Sequence, residues 1–180
     1  MSGCAEPEER VVALRGPLAG LPGANAGGNV ALQESASSGV DPTAVPEGGL
    51  RREREDGTVE LRAVSPRHLM THVFQTVRDG ERDLFVEQVL SERTKKEFRE
   101  RGFEPALAFD ELVRRREDVF KLFARLPYGE NTPGALWTRL GERTYRLKAT
   151  GMAGRGLRWN FMDAVYEDGN WRLRWFGRDG

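Results

Sequence analysis

Asp163 stands out among the ionisable residues because it interrupts a run of large apolar side chains at alternating positions, Trp159, Phe161 and Val165. If the turn at Glu167-Asp168-Gly169-Asn170 is a three-residue loop with Gly169 as its bulge, Val165 lies opposite Trp171 and Asp163 opposite Leu173. Trp159, Phe161, Asp163 and Val165 then share the inner face with Trp171, Leu173 and Trp175, and Trp159, Phe161, Trp171 and Trp175 become the lining of an apolar ligand pocket. A carboxylate in that setting has its pKa raised by desolvation, which suits a general acid or base. A two-residue turn shifts the register instead. It sets Asp163 against Arg174 on the outer face as an ordinary surface ion pair. Of the two, the bulged loop is the expected form.

His68 and His72 are four apart and share one helix face, a spacing that can hold a metal ion. No Glu stands between them in a His-Glu-x-x-His pattern and no third ligand is evident, so they are expected at the edge of an apolar stripe, with neither metal nor cofactor. Arg114-Arg115-Arg116 offers a phosphate or nucleic-acid contact, but Glu111, Glu117 and Asp118 surround it, and a solvated helix face is the expected reading. Arg139, Arg143, Arg146, Lys148, Arg158, Arg172 and Arg174 leave the C-terminal strands basic. Many of these share an outer face, which suits an acidic partner or anionic headgroups, or serves to keep sheet edges from aggregating. No glycine-rich phosphate loop, Gly-x-Ser-x-Gly elbow, Cys–His pair or cysteine metal cluster is present in the sequence.

Lys+Arg and Asp+Glu balance at 28 each over 180 residues, which speaks against a general polyanion binder, and no nucleic-acid partner is expected. The hydrophobic fraction is 38% and there are 21 glycines, as in a chain of which one part does not fold. No apolar run nears the roughly 20 residues of a membrane span. The single cysteine, Cys4, excludes an intrachain disulfide. Its setting, Ser2-Gly3-Cys4-Ala5-Glu6, resembles the processing site of bacterial lipoproteins, in which the cysteine becomes the lipidated first residue. The charged and apolar parts of a signal peptide are absent and Met1 stands where that family usually has Leu, which places the true start upstream if the resemblance holds. That reading implies a protein tethered to the bacterial cell envelope through Cys4; without it, a cytoplasmic one.

The elements that would position these residues follow from local pattern. Residues 1–49 carry no sustained period beyond the small cluster Val11-Val12-Ala13-Leu14, and are rich in Gly, Pro and Ser, so they are expected to be a disordered tether. About 40 residues of such coil reach roughly 35 Å. Arg51-Arg52-Glu53-Arg54-Glu55-Asp56 reads as a solvated charge run and 58–64 as a short half-buried strand. Ser65-Pro66 opens a helix that runs to Asp79-Gly80, with Leu69, Met70, Val73, Phe74 and Val77 inward. Helical stretches follow at 81–90 and 91–102, and one long helix from Glu104-Pro105 to Pro127. Strands are expected at 135–140 and 143–150, then 157–166 and 171–176 around the Asp-Gly turn. Helices first and an antiparallel meander afterwards argue an α+β domain over 50–180, with the helices on one face of the sheet.

Helices followed by a meander that closes on Tyr166-Glu167-Asp168-Gly169-Asn170-Trp171-Arg172-Leu173 resemble the nuclear transport factor 2-like (SnoaL-like) superfamily over roughly residues 65–177. The resemblance implies a cone, with helices packed in the concave face of a curved antiparallel sheet and, in some members, an apolar pocket at the wide end. It says little about activity, because that fold hosts enzymes, binding modules and assembly domains. The leading expectation is a non-catalytic module that binds a small apolar ligand or a protein partner. The alternative is an isomerase or hydrolase-like enzyme that uses Asp163 in an apolar pocket, as isomerases of that superfamily use interior carboxylates. A third expectation is a homodimer formed through the sheet face.

Overall fold

In the computed structural model, residues 49–179 are described. The expected tether, and with it Cys4, falls outside the described residues except for Gly49. The first elements are two short strands, β1 (Arg51–Glu53) and β2 (Val59–Leu61), paired as an antiparallel hairpin. The charge run is therefore partly strand, because a backbone ladder with β2 needs no apolar side chains.

Helix α1 (Pro66–Asp79) starts and stops where its sequence dictates. Ser65 accepts the His68 N–H at 3.2 Å, and Pro66 occupies the first turn. Gly80 ends it at φ 73, donating its N–H to the Thr76 carbonyl. Its stripe Leu69, Val73 and Val77 is buried, a contribution of about 1.5–3 kcal/mol for each side chain. A short α2 (Arg82–Leu84) runs into a π-helical turn, Phe85–Val89, that buries Phe85 and Val89. Helix α3 (Glu92–Glu100) is capped by Ser91, which accepts from Thr94 N–H.

The single long helix expected next is two: α4 (Ala106–Arg114) and α5 (Arg116–Arg125), broken at Arg115 with φ −110 and ψ 22. The sequence between Leu112 and Val119 holds no buried residue. The break lets the two apolar patches each meet the core instead of holding one straight axis across a turn with no buried residue.

Four strands complete the chain: β3 (Ala135–Gly141), β4 (Thr144–Ala149), β5 (Phe161–Glu167) and β6 (Asn170–Gly177), with a helical turn α6 (Gly151–Gly154) between the hairpins. They form one antiparallel meander in chain order. Leu147, Met162, Ala164, Leu173 and Phe176 face the helices and share one core with Leu69, Val73, Phe85, Leu112, Val119 and Leu122. The class is thus α+β, as the order of elements required.

The register of the last hairpin departs from the expected form. Asp168 and Gly169 take φ 48 and 79 and form a two-residue turn, with Glu167 opposite Asn170 and Val165 opposite Arg172. Asp tolerates the left-handed region well enough for the tighter turn to form. The pairing then slips: Ala164 faces Leu173, but Asp163 faces Trp175, leaving Arg174 as an extra residue in β6. A similar irregularity in β3 leaves Leu140 unpaired between Arg139 and Gly141. The β6 bulge is held from outside the sheet. Ser91 donates its N–H to the Leu173 carbonyl at 2.9 Å, and Thr94 Oγ1 donates to the Arg174 carbonyl at 2.8 Å.

Candidate functional site

The alternation of β5 puts Phe161, Asp163 and Val165 on the face opposite Met162 and Ala164, with Trp175 beside Asp163. Asp163 accepts two hydrogen bonds from Arg146 on β4, from Nε at 2.7 Å and Nη2 at 2.9 Å. Arg146 Nη1 also donates to Asp179 at 2.9 Å, and Lys148 Nζ reaches the other Asp179 oxygen at 3.0 Å. The hydrogen bond to Asp163 holds the Arg146 guanidinium above its ordinary pKa, and Lys148 together with Arg146 holds the Asp179 carboxyl below its own. Both carboxylate oxygens of Asp163 are occupied by one guanidinium. It is therefore a member of a satisfied ion network, partnered by Arg146 and not by Arg174.

The four aromatic residues expected to line one pocket are not brought together. Trp171 lies on the helix-facing side, in contact with Trp137, Tyr145 and Tyr166 at ring separations of 5.3–5.4 Å. Trp175 meets Phe98 of α3. Trp159 stacks on Phe176 at 5.3 Å. The Phe161 ring lies against Gly177, so closely that any Cβ there would collide with it, and the Arg146 guanidinium stands 3.4 Å from its centroid. The reason is the pleat: with Arg174 bulged, Trp171 and Trp175 point to opposite faces.

His68 and His72 are buried, deeper than the edge position expected of them. His72 Nε2 donates to the Arg62 carbonyl at 3.0 Å, which leaves Nδ1 as an acceptor, buried and without a partner. His68 Nδ1 is likewise buried without a partner. Burial pushes both imidazoles down, in His68 with help from Arg67. Glu130, which sequence reasoning missed, follows the Gly129 turn packed on Arg67. Burial pushes its carboxyl up, and its Oε2 has no partner. Among the described residues no group of three His, Cys, Asp or Glu is placed to hold a metal ion. Arg114 and Arg115 both pair with Glu111, as a solvated helix face requires.

Two clefts merit comparison. One, of about 280 Å³, lies between α1 and α5 over Met70, Phe74, Phe123, Leu126 and Pro127, with Arg67 and Arg78 among its lining residues. The other, of about 490 Å³, runs between the β3–β4 turn, the ends of β5 and β6, and the first turn of α3. Both bulge residues, Leu140 and Arg174, line it. So do Arg93 and Arg143, and Arg143 is held at φ 53. Arg174 Nη2 donates to Glu97 at 2.8 Å while its Nη1 is buried without a partner. Arg93 approaches the same Glu97 at 3.6 Å, and the Arg143 side chain has no ion-pair or hydrogen-bond partner among the described residues. The sequence signal for this groove was the excess of arginines on the outer face. Which of them would remain unneutralised was not in that signal.

Comparison with known proteins gives no matching family, no significantly similar curated protein and no significantly similar solved structure. No helix among the described residues is long and apolar enough to cross a membrane.

Proposed function

We propose that the chain is a non-catalytic ligand-binding module built on a nuclear transport factor 2-like arrangement, and that its ligand site is the groove between the β3–β4 turn and α3. One observation carries this reading. Two β-bulges and a left-handed arginine, three local departures from ideal sheet geometry, all line that single groove. Bulges re-aim side chains, and backbone strain persists where the surroundings hold it for a purpose. The enzyme reading loses its base, because Asp163 would have to break a two-point contact with Arg146 before accepting a proton.

The test is a titration of the isotopically labelled full chain with mixtures of small-molecule fragments, followed by amide chemical shifts. Shifts confined to Arg93, Gly141, Thr144 and Glu167 are expected. Shifts that instead gather on Met70, Phe74 and Phe123 would move the site to the α1–α5 cleft and defeat the proposal.

A further inference from the structure

We infer that the groove takes a phosphomonoester carried on a small apolar or aromatic body. This rests on the groove being the ligand site and goes on to name the class of ligand. Three guanidinium groups, from Arg93, Arg143 and Arg174, line it, each from a different element. Two carboxylates line it as well, but Glu167 is already engaged: it accepts the Glu92 N–H at 2.9 Å and stands 4.0 Å from Arg172 Nε. That leaves Glu142, together with Glu97, which Arg174 and Arg93 share at 2.8 and 3.6 Å, against three cations, and Arg143 as the one with no partner among the described residues.

Hydrogen-bonding capacity points the same way as charge. Arg174 Nη1 is a buried, charged donor with nothing to donate to. Such a group is destabilising, and a ligand oxygen met by a small turn of the guanidinium toward the groove relieves it. Arg143 spends conformational energy to stand at φ 53 at the turn tip, where a glycine would stand freely, yet its side chain makes no internal pair. Three guanidiniums from separate elements approach from separate directions. A phosphate, with three terminal oxygens, can accept from all of them, whereas a carboxylate offers two oxygens in one plane.

The remaining walls set the rest of the ligand. Leu140 and Tyr166 are exposed at 49% and 39%, and buried Val165 completes the apolar part of the lining. They offer apolar contact to a small ring or short chain. A nucleic-acid or membrane-surface track is disfavoured, because the neighbouring outer-face cations Arg146 and Lys148 are neutralised by Asp163 and Asp179, so the positive charge is local.

The experiment is isothermal titration calorimetry of the full chain at low ionic strength with phenyl phosphate, inorganic phosphate and benzoate, paired with amide shifts for each. Phenyl phosphate is expected to bind saturably and to perturb Gly141, Thr144 and Glu167, with benzoate about tenfold weaker. Arg143→Gln and Arg93→Gln should each weaken phenyl phosphate about tenfold, while Arg158→Gln, outside the groove, leaves it unchanged. Benzoate binding as tightly as phenyl phosphate, at the same amides, overturns the phosphate assignment and leaves the groove as a ligand site. Absence of saturable binding by phenyl phosphate, or full affinity in both groove variants, overturns the inference; fragment shifts at the same amides then decide separately whether the groove itself survives as a site.

Discussion

The outer face of the sheet holds two arginine-rich regions within a few residues of each other, and they have been treated differently by the fold. Around Arg146 every charge has found its opposite: Asp163 and Asp179 take the guanidinium, and Asp179 also takes Lys148. Around Arg143 and Arg174 the charges outnumber their partners, one donor is buried with no acceptor, and one backbone is strained. Both regions draw on the same residue types along alternating strands. The difference teaches that a count of basic residues on a sheet says nothing of function until the acids are placed. The satisfied cluster contributes stability, and the unsatisfied one is where binding is to be sought.

The comparison breaks most visibly if the satisfied cluster is opened. Arg146→Ala leaves Asp163 without its partner at a position 15% exposed, and removes the cation resting on Phe161. A loss of about 2 kcal/mol is expected, read as a lower denaturation midpoint at unchanged slope in urea. A loss under about 0.5 kcal/mol would mean the network is no more than surface decoration.

The buried histidines sharpen the contrast through pH. Their folded-state pKa values are pushed below the ordinary 6.5, so the unfolded chain binds protons first as the solution is acidified. Stability is therefore expected to fall as pH drops through about 6.5, by at most about 1.4 kcal/mol per pH unit for each histidine. His72→Gln, which keeps a donor for the Arg62 carbonyl, should flatten the profile between pH 7 and 5. Profiles of equal slope would assign the acid sensitivity elsewhere.

The smallest effect has the opposite sign. Arg143→Gly relieves the left-handed residue and is expected to stabilise the fold by up to about 1 kcal/mol in the same urea titration. A variant that is less stable than the parent would show that Arg143 contributes to the fold, and that the two arginine regions are alike after all.

Much of the framework was legible in the chain because it is written in local signals. Ser65-Pro66 and Gly80 bound α1, Ser91 starts α3, and Asp168-Gly169 turns the final hairpin. Caps and turns act over three or four residues, so the sequence holds both partners in view. The break at Arg115 was less legible, since 114–116 are good helix formers and only the spacing of buried residues on either side calls for two axes. Asp163 was legible as a residue of interest but not as an ion-pair partner of Arg146, 17 residues away on another strand.

By itself, then, the sequence determined the α+β class, the order of helices and meander, the caps, and the excess of cations on the strands. Only the tertiary structure decided which face each residue of β5 and β6 would occupy. The turn starts one register, and the Arg174 bulge, pinned by Ser91 and Thr94 from a distant part of the chain, replaces it with another before Asp163. Because side chains alternate with a period of two, that one extra residue parts Trp171 from Trp175 and aligns Arg174 with Arg93 and Arg143. No local preference of the strand encodes it: the contacts that hold the bulge exist only once α3 has packed against the sheet.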